Sequence, residues 1–125
     1  MFGLSMIKDY LDEILDGLKT CDVRSYPTNK RGTIALVDSK SMKVYGTIEL
    51  VGVHKISPEE YANWHCTGRF EHLTFDVDPS KQYYAYDFIN PRWLAQPIKL
   101  KVKKKTWVDI EDTVVKDFYF ENKLF

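Results

Sequence analysis

The feature that most constrains this chain is a change of hydrophobic period at Gly17. Before it, Ile7, Tyr10, Leu11, Ile14, Leu15 and Leu18 recur at i, i+3, i+4, i+7, i+8 and i+11. That spacing lays one apolar stripe along a helix. Asp9, Asp12, Glu13 and Asp16 fall off the stripe and are assigned to its wet face. Gly17 supplies a left-handed stop, so a helix is predicted over residues 7–16. A short strand is predicted before it, at residues 2–5.

After Gly17 the chain reads as strands and turns. Residues 20–24 form a short strand, and residues 25–29 (Ser-Tyr-Pro-Thr-Asn) a turn-rich loop. Residues 32–37 are β-branched and apolar, which marks a buried strand. A polar turn at 38–41 joins them closely to a long strand, 44–54, so the two are predicted to form a hairpin. The parity of that long strand shifts near Gly52, the sign of a bulge. A second helix starts at Pro58: Ser57 fits the N-cap, and Glu60 completes a capping box. It is predicted to run to about Cys66, with a loop over 67–80. Residues 82–89 alternate aromatics as a strand, which Asn90-Pro91-Arg92-Trp93 should break. Residues 98–102 and 107–110 read as further strands, and 114–120 as a strand or docked tail. The expected fold is α+β and mostly β: a small, curved antiparallel β-barrel with two or three short helices.

Length fits this. The 125 residues (14.7 kDa) make one domain, 1–125, which buries about two-thirds of its surface on folding. Hydrophobic residues at 44% and charged residues at 29% exclude a disordered chain. Met1 to Ile7 lacks a basic segment, and the charged Lys8 and Asp9 follow, so no signal peptide is read there. No apolar run approaches the ~20 residues that cross a bilayer. The expected compartment is the reducing cytoplasm, with Cys21 and Cys66 as thiols. No CxxC or HExxH spacing occurs, and His54, His65 and His72 are scattered. Neither a metal site nor a cofactor is expected. Lys plus Arg and Asp plus Glu number 18 each. That balance excludes a surface that coats nucleic acid indiscriminately, and leaves a local basic groove open.

The chemistry-bearing segment is residues 17–24. Asp22 and Arg24 share one strand face, and Lys19 sits at the helix exit. Together they can bind a phosphate or polarise a base carbonyl, with Asp22 holding Arg24 in a charge-assisted pair. The plainer alternative is a lysine complementing the helix dipole beside one surface ion pair. Tyr26, Tyr84, Tyr86 and Trp93 offer stacking surfaces for a base or barrel filling. Tyr83 and Phe88 read as core. Arg92 is a candidate phosphate contact or a solvated loop arginine. Lys99, Lys101, Lys103 and Lys105 share one strand parity, joined by Lys104. They read as the wet face of an edge strand or as a basic stripe for RNA. Cys21 reads as a core thiol, although a nearby lysine can lower a thiol pKa.

The Gly17-x-Lys19-x-x-Asp22-x-Arg24 string after an amphipathic helix resembles the signature of the ASCH domain (activating signal cointegrator homology), a branch of the PUA-like superfold. Residues 32–57 resemble the family's strand, turn and strand leading to a helix. Tyr84-Ala-Tyr86 and Asn90-Pro-Arg-Trp93 resemble its aromatic strand and following turn. The resemblance covers about residues 2–100 and leaves 101–125 as a C-terminal extension. It implies a PUA-like barrel with a cleft lined by Lys19, Asp22 and Arg24, in which RNA or a modified nucleoside or nucleotide is recognised. Lys19, Asp22, Arg24, Tyr84, Arg92 and Trp93 are the implied binding residues. Some relatives are acetylcytidine-type nucleoside amidohydrolases and others ribonucleases. In the amidohydrolase branch the catalytic lysine matches Lys19. Asp22 stands where that branch uses threonine, so it cannot be the same hydroxyl relay, but a raised pKa would make it a general base. The branch's catalytic glutamate falls near Glu71. A protein-interaction module in a transcription or translation assembly is the third reading. The sequence leaves open whether the chain is an enzyme.

Overall fold

The apolar stripe of the first helix meets a curled six-stranded sheet. In the computed structural model the described residues are 1–64 and 78–121. The chain runs β1 (Phe2–Met6), α1 (Lys8–Leu15), β2 (Cys21–Arg24), β3 (Gly32–Asp38), β4 (Lys43–Ile56), α2 (Pro58–Trp64), β5 (Tyr83–Lys99), β6 (Trp107–Asp109) and α3 (Asp112–Val115). The strand order is β2-β5-β4-β3-β1-β6.

The hairpin of β3 and β4 is present, with Ile34 opposite Ile48. So is the bulge in β4, where the register against β5 shifts between Leu50 and Gly52. The capping box of α2 forms in both directions. Glu60 N–H donates to Ser57 Oγ at 3.1 Å, and Ser57 N–H donates to Glu60 Oε1 at 3.2 Å.

Several expectations are corrected. The sheet is mixed: β1 runs parallel to β3. The helix after β1 reverses the chain, and the return past β2 lays β3 alongside β1 in the same direction. The Asn90-Pro91 turn does not end a strand. Asn90 takes a left-handed φ of 52°, and with Pro91 it bulges out opposite Ile48, so β5 continues. Residues 98–102 are not a strand of their own: β5 stops at Lys99, and residues 100–106 are a loop before β6. Of the two readings of 114–120, the docked tail holds rather than the strand: α3 ends at Val115, and one bridge pairs Leu94 with Phe120. The predicted end of the second helix and most of the 67–80 loop lie outside the described residues, as do His65, Cys66, Glu71 and His72.

Both faces of β3 are buried, which is why its sequence is a continuous apolar run. Ile34 and Leu36 join Leu4, Leu11, Ile14, Leu15 and Tyr86 in the core under α1. Ala35 and Val37 join Met42, Val44, Leu94 and Val108 in a second cluster. Helix α1 sits close because of Gly46: a Cβ there would lie 2.7 Å from the Leu15 methyl groups and 2.3 Å from the Arg92 carbonyl. The sheet curls until β2, one edge of it, approaches β1 and β6 near the other. Arg24 Nη2 on β2 donates to the Ser5 carbonyl on β1 at 2.8 Å. Tyr86 on β5 stacks near Trp107 on β6, with centroids 6.5 Å apart. The sheet is therefore a half-barrel, joined at this seam by side chains.

Candidate functional site

The site begins with the way α1 ends. Gly17 has φ 79°, and two backbone bonds close a Schellman motif. Leu18 N–H donates to the Glu13 carbonyl at 2.9 Å, and Gly17 N–H donates to the Ile14 carbonyl at 3.0 Å. Lys19 N–H donates to the Glu13 carbonyl as well, at 3.1 Å. This fold-back places Lys19 over the helix flank. Its Nζ lies 4.6 Å from the centre of the Tyr10 ring and 3.9 Å from Glu13 Oε2. Glu13, assigned to solvent by periodicity, is only 1% exposed. The stripe rule presumes one packing surface, and the returning chain supplies a second.

β2 then presents Asp22 and Arg24 on one face, as the alternation requires. Arg24 Nε donates to Asp22 Oδ2 at 2.6 Å, a charge-assisted bond. With Nη2 on the Ser5 carbonyl, the guanidinium is fixed at two points. Burial works against the charge of Arg24, but the Asp22 ion pair and hydrogen bond, aided by Tyr26, outweigh it and raise the pKa. The guanidinium N–H groups not spent on Asp22, Ser5 and Tyr26 remain to offer a ligand.

These groups line a cavity of about 370 Å³ in the seam, walled by the end of β1, Tyr10, Lys19, β2, Tyr61 and Thr106. Its size falls within the roughly 300–1,000 Å³ of small-ligand sites. Burial, then the Glu13, Asp9 and Asp22 charges, pushes the Tyr10 phenol up to about 12. Burial, then Asp22, does the same to Tyr61, also to about 12. Both remain neutral hydroxyls at physiological pH. Cys21 is half-buried in the wall rather than in the core. Burial first and Asp22 second push its thiol up to about 11, against the pull of Lys19. The lowering that a nearby lysine can give a thiol is outweighed here. The cavity wall thus combines two cations, Lys19 and Arg24, one carboxylate, Asp22, and neutral hydroxyls; with the buried Glu13 carboxylate behind Lys19 the array is near electrical balance.

The sequence profile of the ASCH domain matches residues 4–117. The chain belongs to the ASCH domain family. Solved structures agree on the fold. The ASCH protein of Zymomonas mobilis aligns with a TM-score of 0.72 at 14% identity, over 92% of this chain and 90% of that one. A tyrosine-to-phenylalanine mutant of it gives 0.73 at 15%, over 94% and 97%. A serine-to-alanine mutant gives 0.70 at 15%, over 92% and 91%. No curated protein sequence matches significantly. The ASCH, PUA-like fold is thereby established.

In this ASCH domain the six expected binding residues do not all converge. Lys19, Asp22 and Arg24 do. Tyr84 stands opposite Arg24 in the β2–β5 register and packs on the main core. Trp93 Nε1 donates to Asp16 Oδ1 at 3.0 Å, away from the cavity wall. Arg92 faces a second cavity of about 280 Å³, with its guanidinium 3.8 Å from the Phe120 ring centre. Tyr26 accepts the Tyr86 hydroxyl on its carbonyl at 2.7 Å. Sequence reasoning missed Ser5, Tyr10, Glu13, Tyr61 and Thr106. The Gly17 stop held the signal for Glu13: the Schellman bonds there fold Leu18 and Lys19 back onto the Glu13 carbonyl. Among the described residues, no helix is long and apolar enough to cross a membrane.

Proposed function

We propose that this ASCH domain binds a nucleobase in the seam cavity, presented by RNA or by a free, modified nucleoside or nucleotide. Lys19 and Arg24 donate to base carbonyl or phosphate oxygens. Asp22 holds Arg24 through Oδ2 and offers Oδ1 to a base N–H. The observation that carries this reading is the fixation of Arg24 by Asp22 and Ser5 beside Lys19. A guanidinium already held in place loses little rotational freedom on binding, so its remaining donors retain most of their strength. The local charge balance favours a neutral ring rich in donors and acceptors over a bare polyanion. Calorimetric titration with nucleosides, mononucleotides and short single-stranded RNA tests it. Lys19→Ala and Arg24→Ala should each weaken binding about tenfold or more, the worth of a hydrogen bond to a charged group. Equal affinity in the parent and both variants would reject the site.

One observation supports a hydrolase reading. Lys19 Nζ, in the cavity wall, lies 3.9 Å from the buried Glu13 carboxylate behind it, an ion pair that orients the lysine towards the cavity as a candidate acid–base group. Asp22 is engaged with Arg24 and serves binding in this scheme. Incubation with acetylcytidine and with mixed RNA decides: product lost on Lys19→Ala and Glu13→Gln supports catalysis, and no product at high protein concentration leaves binding alone.

A further inference from the structure

The loop between β5 and β6 is the most concentrated charge on the molecule. From Pro91 to Val108 the chain carries Arg92, Lys99, Lys101, Lys103, Lys104 and Lys105, and no acidic residue. Residues 101–106 are exposed. The side chains of Lys101, Lys103, Lys104 and Lys105 make no hydrogen bond or ion pair among the described residues. Guarding a strand edge does not explain them, because they lie outside both neighbouring strands.

The loop is tied directly to the seam cavity. Ser5 Oγ donates to the Lys105 carbonyl at 2.8 Å, and Ser5 N–H donates to the Thr106 carbonyl at 2.9 Å. The Ser5 carbonyl is the one that receives Arg24, and Thr106 is itself part of the cavity wall. The other end is anchored by Leu100 N–H on the Met42 carbonyl, 3.0 Å. Beside the loop, Phe2 packs edge-on to Trp107, with Lys30 Nζ 4.8 Å from each ring. Phe2 is 44% exposed. Unpaired cations interleaved with an accessible aromatic are what a flexible nucleic-acid strand needs: phosphate contacts and a stacking face.

We infer that the ligand of the seam cavity is a segment of single-stranded RNA, whose backbone leaves the cavity past Thr106 and runs over Lys105, Lys104 and Lys103. This rests on the base-binding reading above and adds that the base arrives on a strand.

Fluorescence anisotropy across a salt series tests it, using cytidine monophosphate and a single-stranded RNA of about eight nucleotides, a length within known single-strand site sizes. The proteins are the parent, the triple variant Lys103→Ala, Lys104→Ala, Lys105→Ala, and Arg24→Ala. The triple variant should bind the oligonucleotide about tenfold or more weaker at low salt, with its log–log salt slope shallower by about 2 for three lost phosphate contacts. Its affinity for the mononucleotide should be unchanged. Parent-like oligonucleotide affinity and slope in the triple variant would overturn the track and leave the cavity reading intact. Loss in the triple variant with Arg24→Ala silent on both ligands would keep the phosphate contacts but reject the cavity as their terminus. No binding of either ligand by the parent would reject both.

Discussion

Two arginines face two cavities of similar size, and they differ in what holds them. Arg24 is gripped by a carboxylate at 2.6 Å and a backbone carbonyl at 2.8 Å. The Arg92 guanidinium rests over the Phe120 ring, where the C-terminal residues 115–120 pack, and its side chain makes no hydrogen bond or ion pair among the described residues. A stacked guanidinium contributes about 0.5–1 kcal/mol at an exposed site, and its geometry is loosely defined. A guanidinium fixed at two points is a positioned donor. The difference teaches that concavity alone does not select a site. What distinguishes the seam is that its polar groups are oriented by buried partners before any ligand arrives.

The strongest way to break this comparison is to exchange the two losses. Arg24→Ala should lower nucleotide affinity about 10- to 100-fold, while Arg92→Ala leaves it unchanged; equal losses by calorimetry would erase the distinction. Gly46→Ala should destabilise the fold by about 1–3 kcal/mol through overpacking, because the added methyl meets the Arg92 carbonyl and Leu15. Urea unfolding measures it, and a midpoint equal to the parent's would mean that α1 yields without strain. Glu13→Gln removes the charge partner of Lys19 and should lower stability by about 1 kcal/mol or more; the urea midpoint should fall with an unchanged m-value. The smallest effect is alkaline. The Cys21 thiol moves from an ordinary value of 9.0 to about 11 in the fold. The folded state keeps the proton that the unfolded chain releases, so this contribution is complete below pH 9 and is lost as pH rises towards 11. Cys21→Ala should reduce the fall in stability between pH 9 and 10, before the tyrosines held near 12 add their own losses. An identical fall in parent and variant would show that the thiol is not the group involved.

Local rules carried the sequence reading far wherever one neighbour decides the geometry. The stripe and Gly17 located α1, Ser57 and Glu60 located the start of α2, and strand alternation put Asp22 beside Arg24. Readings that needed two surfaces went astray. Glu13 looked wet because the helical period has no knowledge of the chain folding back over it. Asn90-Pro91 looked like a break, since a bulge and a chain end use the same residues and only the partner strand separates them. Lys101 to Lys105 kept a strand's parity beyond the end of β5, without a strand to pair with. Ser5 and Thr106 are about a hundred residues apart and meet only because the sheet curls, which leaves no trace in either residue's own neighbourhood. Arg92 and Trp93 were grouped with the site by the family resemblance, and the course of β5 carries them elsewhere.

The seam also makes ligand occupancy and fold stability one equilibrium. Its walls come from β2 on one side and from β1 and Thr106 on the other, and Arg24 on Ser5 is a bond across the join. A molecule seated there acts as a clasp. It adds bonds that exist only when the half-barrel is closed, so unfolding must first release it. By mass action a ligand at a hundred times its Kd raises the unfolding free energy by about 2.7 kcal/mol. The melting temperature can therefore serve as the assay with which to search for whatever this cavity holds.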